Sequence, residues 1–380
     1  MSNKELLPTE WALVKGIQAG GLLGPVRWAD RAGPVLMMAF LLLGFPLLAM
    51  SGTVEPAMIG QLGRYCCLAV LAVGLDLVWG YTGILSLCQA LFFTLGGYAM
   101  GMHLAMHGPV AANGVPTCIA YVSSSVGGMT LPWFWAPFSS VWFAVFAVVA
   151  IPGLFAFVFG FFSFRSRVKG VYFSIITQAV TVAMCTLFGL NLLQLGGTNG
   201  LTNFTHLLTL PLSDSGSKLL MYEASAMLLV LSVLFAKWLT ATRFGRLLVA
   251  VRDSESRLRF AGYQPVWFKT AVFTVGAMLG GLAGALYAPQ TGIITPSDMQ
   301  AAQSLLVVVW VAVGGRGTII GAVIGALLIN LLYAQLTSTW PKLWPFMLGA
   351  LFVSVVLFLP DGLVGAWRRM MAKFDGKELQ

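Results

Sequence analysis

The most constraining feature of the sequence is the stretch from residue 77 to residue 164, which contains no Asp, Glu, Lys or Arg. Only 9% of the 380 residues are charged and 58% are hydrophobic, whereas soluble domains carry about 25% charged residues. The apolar runs are long enough for helices to cross about 30 Å of hydrocarbon. The sequence therefore predicts an all-α, polytopic integral membrane protein.

The predicted spans follow the apolar runs of the sequence. They cover residues 33–51, 65–79, 84–105, 140–163, 170–190, 219–241, 269–288, 300–313, 318–334 and 344–360. Two of these runs are short, so ten crossings are predicted, with eight as the fallback. The transmembrane domain then covers residues 33–360, between an N-terminal segment, 1–32, with the composition of an interfacial helix, and a tail, 361–380. A cleaved signal peptide is the weaker alternative at the N-terminus, because its charged lead is long.

The basic residues orient the chain. Cytosolic segments of membrane proteins are enriched in Lys and Arg. With ten crossings and both termini in the cytosol, every basic residue except Arg64, Lys218 and Lys342 falls on the cytosolic side. This orientation, next to anionic lipid, accounts for the net charge of +9 without a nucleic-acid partner.

Residues 243–263, here called the polar segment, contain five Arg and two acids. The apolar positions Phe244, Leu247, Leu248 and Val251 recur at helical spacing. Asp253 or Ser254 is a suitable N-cap for a second short helix that ends near Gly262. We expect a helix, a tight turn and a short helix that present an apolar stripe to a cytosolic protein partner; the stripe comprises Leu247, Leu248, Val251, Leu258 and Phe260. The alternative is a solvated basic loop.

A second polar feature is the motif Gly80-Tyr81-Thr82-Gly83, which is expected to interrupt a helix. Ser86 and Gln89 follow three residues apart, a spacing that predicts one face of the next helix. Irregular backbone at membrane depth occurs where it is buried in protein or lines a wet cavity. This makes the motif a candidate solute pathway. The alternative is a hairpin whose Ser and Gln side chains join neighbouring helices.

Two further polar features lie within predicted spans. A stripe of hydroxyl and amide side chains at three- and four-residue steps comprises Ser174, Thr177, Gln178 and Thr181. Asp76 is the only acid well inside a span, which makes it a functional candidate, although it lies about one turn from the glycine motif and is also suited to capping backbone there. The candidate pathway residues are Gly80, Tyr81, Thr82, Gly83, Ser86, Gln89, Ser174, Thr177 and Gln178.

Several classes of chemistry have no support in the sequence. No phosphate-binding G-x-x-x-x-G-K-[ST] motif occurs, so ATP, if it is used, is expected to be bound by another chain. The five Cys and three His residues show no metal-ligand spacing. No catalytic cluster is recognisable, which argues against a membrane enzyme. A passive channel or secondary carrier has no need for a docking segment such as 243–263.

Collinear stretches of the chain resemble the permease subunits of bacterial ABC importers of the branched-chain amino acid type, and within them the urea transporter branch. The stretches are GLDLVWGYTGILSL (74–87), FFTLGGYAMGM (92–102), RSRVKGVYFSIITQA (165–179), LGGTNGLT (195–202), RFGRLLVAVRDSESRLRFAGY (243–263), GGLAGALYAPQTGIITP (280–296) and VWVAVGGRGTIIGAVIGALL (309–328). One departure is Cys88-Gln89, where the amino-acid branch usually has Gly-His. The lost imidazole favours a neutral solute.

The resemblance implies a non-enzymatic subunit of the bacterial inner membrane that moves urea or a similar small amide, with a branched-chain or other amino acid as the alternative cargo. It implies a homologous second permease, two cytosolic ATPase subunits that bind the ATP, and a periplasmic solute-binding protein. No cofactor is expected on this chain. The implied ATPase-coupling residues are Arg243, Gly245, Arg246, Arg252, Asp253, Glu255, Ser256, Arg257 and Gly262.

Overall fold

The computed structural model describes part of the chain in detail. The described residues are 36–50, 55–108, 132–166, 168, 170–190, 194–204, 206–207, 210–212, 214–343, 346–347, 349–350, 353–354 and 362–374. The predicted N-terminal segment, 1–32, and most of the predicted last span, 344–360, lie outside these residues. The chain divides into two compact units, residues 1–48 and 49–380.

The structure is helical throughout, which confirms the predicted all-α class. In the first unit the described residues belong to one apolar helix that contains a π-helical turn, Phe40–Gly44. The helices are α1 (Leu36–Ala49), α2 (Pro56–Thr82), α3 (Gln89–Met106), α4 (Val141–Arg165), α5 (Val171–Gly189), α6 (Ser215–Ala241), α7 (Arg243–Asp253), α8 (Glu255–Phe260), α9 (Pro265–Thr291), α10 (Ala301–Gly314), α11 (Ile319–Thr339) and α12 (Gly362–Phe374).

Among the described residues, six helices are long and apolar enough to cross a membrane: α2, α4, α5, α6, α9 and α11. The helices α1 and α10 are apolar but shorter. The predicted span 65–79 proved too short, because the helix begins at Pro56, whose fixed φ suits a first turn, and continues through Arg64 to Thr82. The number of crossings stays a prediction.

Strands are confined to pairs of residues in two small antiparallel ladders of the described chain. Strand β1 (Leu201–Thr202) pairs with β4 (Ile293–Ile294). Strand β2 (His206–Leu207) pairs with β3 (Leu210–Pro211). The first ladder ties the loop after α5 to the end of α9.

The core of the second unit lies where α2, α3, α4 and α9 meet. Glycines allow the close crossings: a Cβ at Gly74 would stand 2.8 Å from Gly276 O, and one at Gly284 would overlap Phe93 O. Gly321 and Gly325 approach Gly314 in the same way. Gly317 stands four positions before Gly321 but is not part of the helix, because it lies in a turn with φ +76° before α11 begins.

Candidate coupling and pathway region

The glycine motif ends α2. Gly83 adopts the left-handed conformation, with φ +76°, and its N–H donates to Trp79 O at 3.0 Å, the usual way in which glycine closes a helix. Residues 83–88, here called the break, are not helical, and α3 begins at Gln89. The prediction that Ser86 shares a helical face with Gln89 was therefore wrong, because Ser86 precedes the helix.

The break runs from the exposed Gly83 to the buried residues Ser86, Leu87 and Cys88, and side chains of α5 satisfy its backbone. Ser174 Oγ donates to Leu85 O at 2.8 Å, and the Leu87 N–H donates to Thr177 Oγ1 at 3.1 Å. Thr181 Oγ1 donates to Leu87 O at 3.3 Å. Three members of the predicted polar stripe thus hold the break in place, as backbone at membrane depth requires. Gln178, the fourth member, is half-buried.

The two polar side chains at the start of α3 also face the protein interior. Ser86 Oγ lies 3.2 Å from Cys88 Sγ. Gln89 Nε2 lies 3.5 Å from Gly276 O, which is a long contact for a hydrogen bond. The Ala90 N–H donates to Ser304 Oγ at 3.2 Å. The structure therefore brings the candidate pathway residues together around the break.

The carboxyl end of α2 collects charged groups from two distant segments; we call this set the α2 junction. Arg252 Nη1 donates to Gly80 O at 3.0 Å, and Arg316 Nε donates to Trp79 O at 3.3 Å. The Arg316 guanidinium also lies 4.9 Å from the centre of the Trp79 ring. Gly80 O belongs to the last turn, whose carbonyls lack partners within the helix, and Trp79 O accepts Arg316 in addition to the Gly83 N–H. Cations suit that end of the helix dipole.

Asp76 completes the α2 junction. Its Oδ1 accepts the N–H of Gly317 at 2.7 Å, while its Oδ2 has no hydrogen-bond partner. Arg316 lies between α10 and α11, outside the candidate spans. Burial and the neighbouring Arg252 lower the pKa of its guanidinium, and Asp76 opposes that shift. Asp76 thus binds the turn Gly314–Gly317, here called the GGRG turn, to the last turns of α2.

The polar segment forms the predicted helix, turn and short helix, α7 and α8, with Ser254 between them. Glu255 Oε1 accepts a bond from Arg259 at 2.6 Å, and Oε2 accepts one from the buried Lys269 at 2.7 Å. Gly245 packs on the Thr240 backbone. The remaining predicted coupling residues are exposed: Arg243, Arg246, Arg252, Asp253, Ser256, Arg257 and Gly262.

The apolar stripe of the polar segment differs from the prediction. Leu248, Val251 and Leu258 are buried within this chain, so a partner is not needed to cover them. Leu247 is half-buried, and Phe260 has 93% of its surface exposed. Leu248 and Val251 are buried because α7 lies across α2, α6 and α9 and packs its apolar face against them.

A cavity of about 230 Å³ separates the break from the polar segment. Gly83 and Ile84 line one side, and Asp253, Glu255 and Lys269 line the other. Among the described residues no group of three or more His, Cys, Asp or Glu side chains is placed to hold a metal ion. The lining of the cavity therefore combines backbone groups of the break with the charged side chains of the polar segment and Lys269.

Sequence reasoning missed Arg316, Ser304 and Lys269 as members of this region. Arg316 carried a usable signal, since it is the only charged residue between two apolar helices and stands among glycines. Ser304 and Lys269 carried none, because each acts through a partner more than ten positions away.

The chain was compared with known proteins. The family described as branched-chain amino acid transport system / permease component matches residues 58–356. The high-affinity branched-chain amino acid transport system permease protein LivM of Escherichia coli (strain K12) is 25% identical over 366 residues, covering 90% of this chain and 77% of the relative.

Two further relatives carry similar names. The LivM protein of Salmonella typhimurium is 25% identical over 369 residues, covering 90% of this chain and 77% of the relative. A probable branched-chain amino acid transport permease protein LivM of Methanocaldococcus jannaschii is 24% identical over 317 residues, covering 78% of this chain and 89% of the relative. No solved structure matches.

Proposed function

Because the chain belongs to the branched-chain amino acid transport permease family, we propose that it is the membrane-spanning permease of an ABC importer in the bacterial inner membrane. Its expected partners are a homologous second permease, two ATPase subunits and a periplasmic solute-binding protein. ATP is bound by the ATPase subunits. The observation that carries this proposal is the bond from Arg252 in the polar segment to Gly80 O beside the break.

The exposed face of the polar segment suits an ATPase partner. Phe260 projects almost fully from the end of α8, and Arg246 in α7 and Arg257 in α8 are also exposed. Exposed aromatic and arginine side chains are the residue types that protein interfaces favour. We assign the docking contact to Phe260, Arg246 and Arg257.

We propose urea or a similar small amide as the cargo. The break and the first residue of α3 contain Ser86, Cys88 and Gln89 and no imidazole. A neutral amide needs hydrogen-bond donors and acceptors but no counter-charge. The second candidate is a branched-chain amino acid, which the names of the relatives favour.

Transport by the reconstituted importer tests the proposal. The chain is assembled with its partner subunits in proteoliposomes, and uptake of labelled urea and labelled leucine is measured with ATP and with ADP. We expect urea uptake only with ATP and binding protein. ATP-driven uptake of leucine alone would replace the cargo, whereas urea uptake that ignores ATP would favour a passive channel or carrier.

The docking contact is tested in the same system. The charge reversal Arg246→Glu/Arg257→Glu should release the ATPase subunits, because acidic side chains would replace two exposed guanidiniums of the polar segment. Each exposed ion pair contributes only about 0–1 kcal/mol, so both changes are combined. Copurification of the ATPase subunits at the wild-type level would contradict this assignment.

A further inference from the structure

The polar segment reaches the end of α2 through one side chain. Arg252 lies in the last turn of α7, and its Nη1 donates to Gly80 O at 3.0 Å. The neighbouring Val251 and Leu248 anchor α7 in the bundle. The bond is charge-assisted, and such bonds are roughly twice as strong as neutral ones. A shift of α7 therefore pulls on the last turn of α2.

The GGRG turn also binds the carboxyl end of α2. Arg316 Nε donates to Trp79 O, and Asp76 Oδ1 accepts the Gly317 N–H. Gly80 and Gly317 are in backbone contact, since a Cβ at Gly80 would lie 2.7 Å from Gly317 Cα. The end of α2 and the GGRG turn thus form one packed unit.

We propose that Arg252 is a positioning residue that transmits displacement of the polar segment to the break, and that Asp76 and Arg316 make the GGRG turn move with it. This inference rests on the proposed function, because the displacement is supplied by the ATPase. It gives Arg252 an inward role, in contrast to the outward Arg246 and Arg257.

The surroundings of the break permit such movement. Protein interiors are close-packed, so a buried segment shifts only where space is available. The cavity of about 230 Å³ lies directly against Gly83 and Ile84. On its other side the break is held by Ser174, Thr177 and Thr181 of α5, which is the least buried of the candidate spans. The break therefore lies between the end of α2, which Arg252 binds, and α5, whose hydroxyl side chains bind the break at the edge of the bundle.

Hydrogen exchange on the purified chain tests the link without reference to transport. In Arg252→Ala, amides in peptides covering residues 80–88 should exchange about threefold faster or more, because the helix end opens more often. Arg252→Gln should behave in the same way. The control Arg165→Ala removes another exposed guanidinium at a helix end and should leave this exchange unchanged. Wild-type exchange in both Arg252 variants would overturn the proposal.

Coupling in the assembled importer gives the second readout. Arg252→Ala should retain its ATPase subunits and hydrolyse ATP, but move about tenfold less solute per ATP, a loss in the usual range of coupling between sites. An unchanged ratio of solute to ATP would overturn the proposal. A wild-type complex without ATP-dependent uptake would contradict the proposed function, and the exchange measurement would still decide the Arg252 link.

Discussion

The helices α2 and α9 begin and end alike but differ in what meets their carboxyl ends. Each has 27 residues, begins with Pro in its first turn and ends with Thr followed by Gly. Gly83 has φ +76° and Gly292 has φ +73°, and each donates its N–H to the carbonyl four residues earlier at 3.0 Å. The same local sequence thus produces the same helix end.

Beyond the two glycines the helix ends diverge. After Gly292 the chain enters β4, and Thr291 Oγ1 bonds the carbonyls of Tyr287 and Ala288 in its own helix. After Gly83 the chain enters the break, and the donors are Arg252 and Arg316, 172 and 237 positions away in sequence from the carbonyls they bind. The last carbonyls of α9 are therefore satisfied by neighbours in sequence, while β4 beyond it pairs with β1. The last carbonyls of α2 are bonded by the polar segment and by Arg316.

The largest expected effect concerns the side of the membrane that each helix end faces, because the predicted topology places the two ends on opposite sides. In a background without the native thiols, Ser256→Cys reports the side of the α2 junction and Ser215→Cys, at the start of α6, reports the other side. Both serines are exposed. An impermeant thiol reagent should label Ser215→Cys in intact cells and Ser256→Cys only after the membrane is opened. The reverse pattern would invert the predicted topology and leave the ATPase without a docking site.

A glycine pair within α2 tests how tightly its end is packed. A Cβ at Gly80 would meet Asp76 Oδ1 and the Gly317 backbone, whereas one at Gly60 would meet nothing within 4 Å. Gly80→Ala should lower the free energy of unfolding by about 1–3 kcal/mol, the usual cost of overpacking. Gly60→Ala should raise it by about 0.5–1 kcal/mol, because alanine loses less backbone entropy in a helix. Equal unfolding midpoints for the two purified variants would show that the α2 junction is loosely packed.

Local features of the region could be predicted from the sequence. The glycine motif marked the end of α2, the polar segment showed its two helices, and the spacing of Ser174, Thr177 and Thr181 marked one face of α5. Each of these features depends on residues a few positions apart, so helical periodicity and turn chemistry are enough to find them.

Contacts between distant segments could not be predicted. Nothing in the sequence indicates that Arg252 would turn inward to Gly80, or that Ser304 would bind the Ala90 N–H. The burial of Leu248, Val251 and Leu258 was likewise assigned to a partner, because an apolar stripe has the same periodicity whether it faces its own bundle or another protein. Pairing between helices is set by packing, which single-sequence patterns do not record.

Two glutamines, one at the start of α3 after the break and one near the end of α9, distinguish a pathway role from a packing role. Gln290, near the end of α9, donates to Ser225 Oγ at 2.7 Å, whereas Gln89 has only the 3.5 Å contact to Gly276 O. Gln290→Leu should lower the free energy of unfolding by about 0.5–1.5 kcal/mol and leave uptake per folded complex unchanged. Gln89→Leu should cost less stability but slow urea uptake about tenfold, since an unmade bond to the solute costs about 1–3 kcal/mol. Normal flux per complex in Gln89→Leu would remove Gln89 from the pathway.

The smallest expected effect is a pH dependence of folding stability that arises from Asp298, in the segment after α9. Asp298, in the short helix after β4, caps Thr295 by accepting bonds from its N–H at 2.8 Å and its Oγ1 at 2.9 Å. Burial raises the pKa of the Asp298 carboxyl above its ordinary value of 3.8, against the opposing effect of the Thr295 bonds. A raised pKa means that folding favours the neutral acid. The stabilisation is therefore complete below the ordinary value and is lost as the pH rises through the folded pKa.

Asp298→Asn keeps the shape of the side chain and removes the titration. As the pH falls from 7 toward 4, the melting temperature of the wild type should rise relative to that of Asp298→Asn, because the shared carboxylates cancel in the difference. Solute transported per ATP should be the same in the two proteins, since the end of α9 is closed by its own neighbours and has no tie to the polar segment. A difference in melting temperature that does not change with pH would show that the carboxyl titrates alike in the folded and unfolded chains. A loss of solute per ATP in Asp298→Asn would show instead that both helix ends take part in coupling.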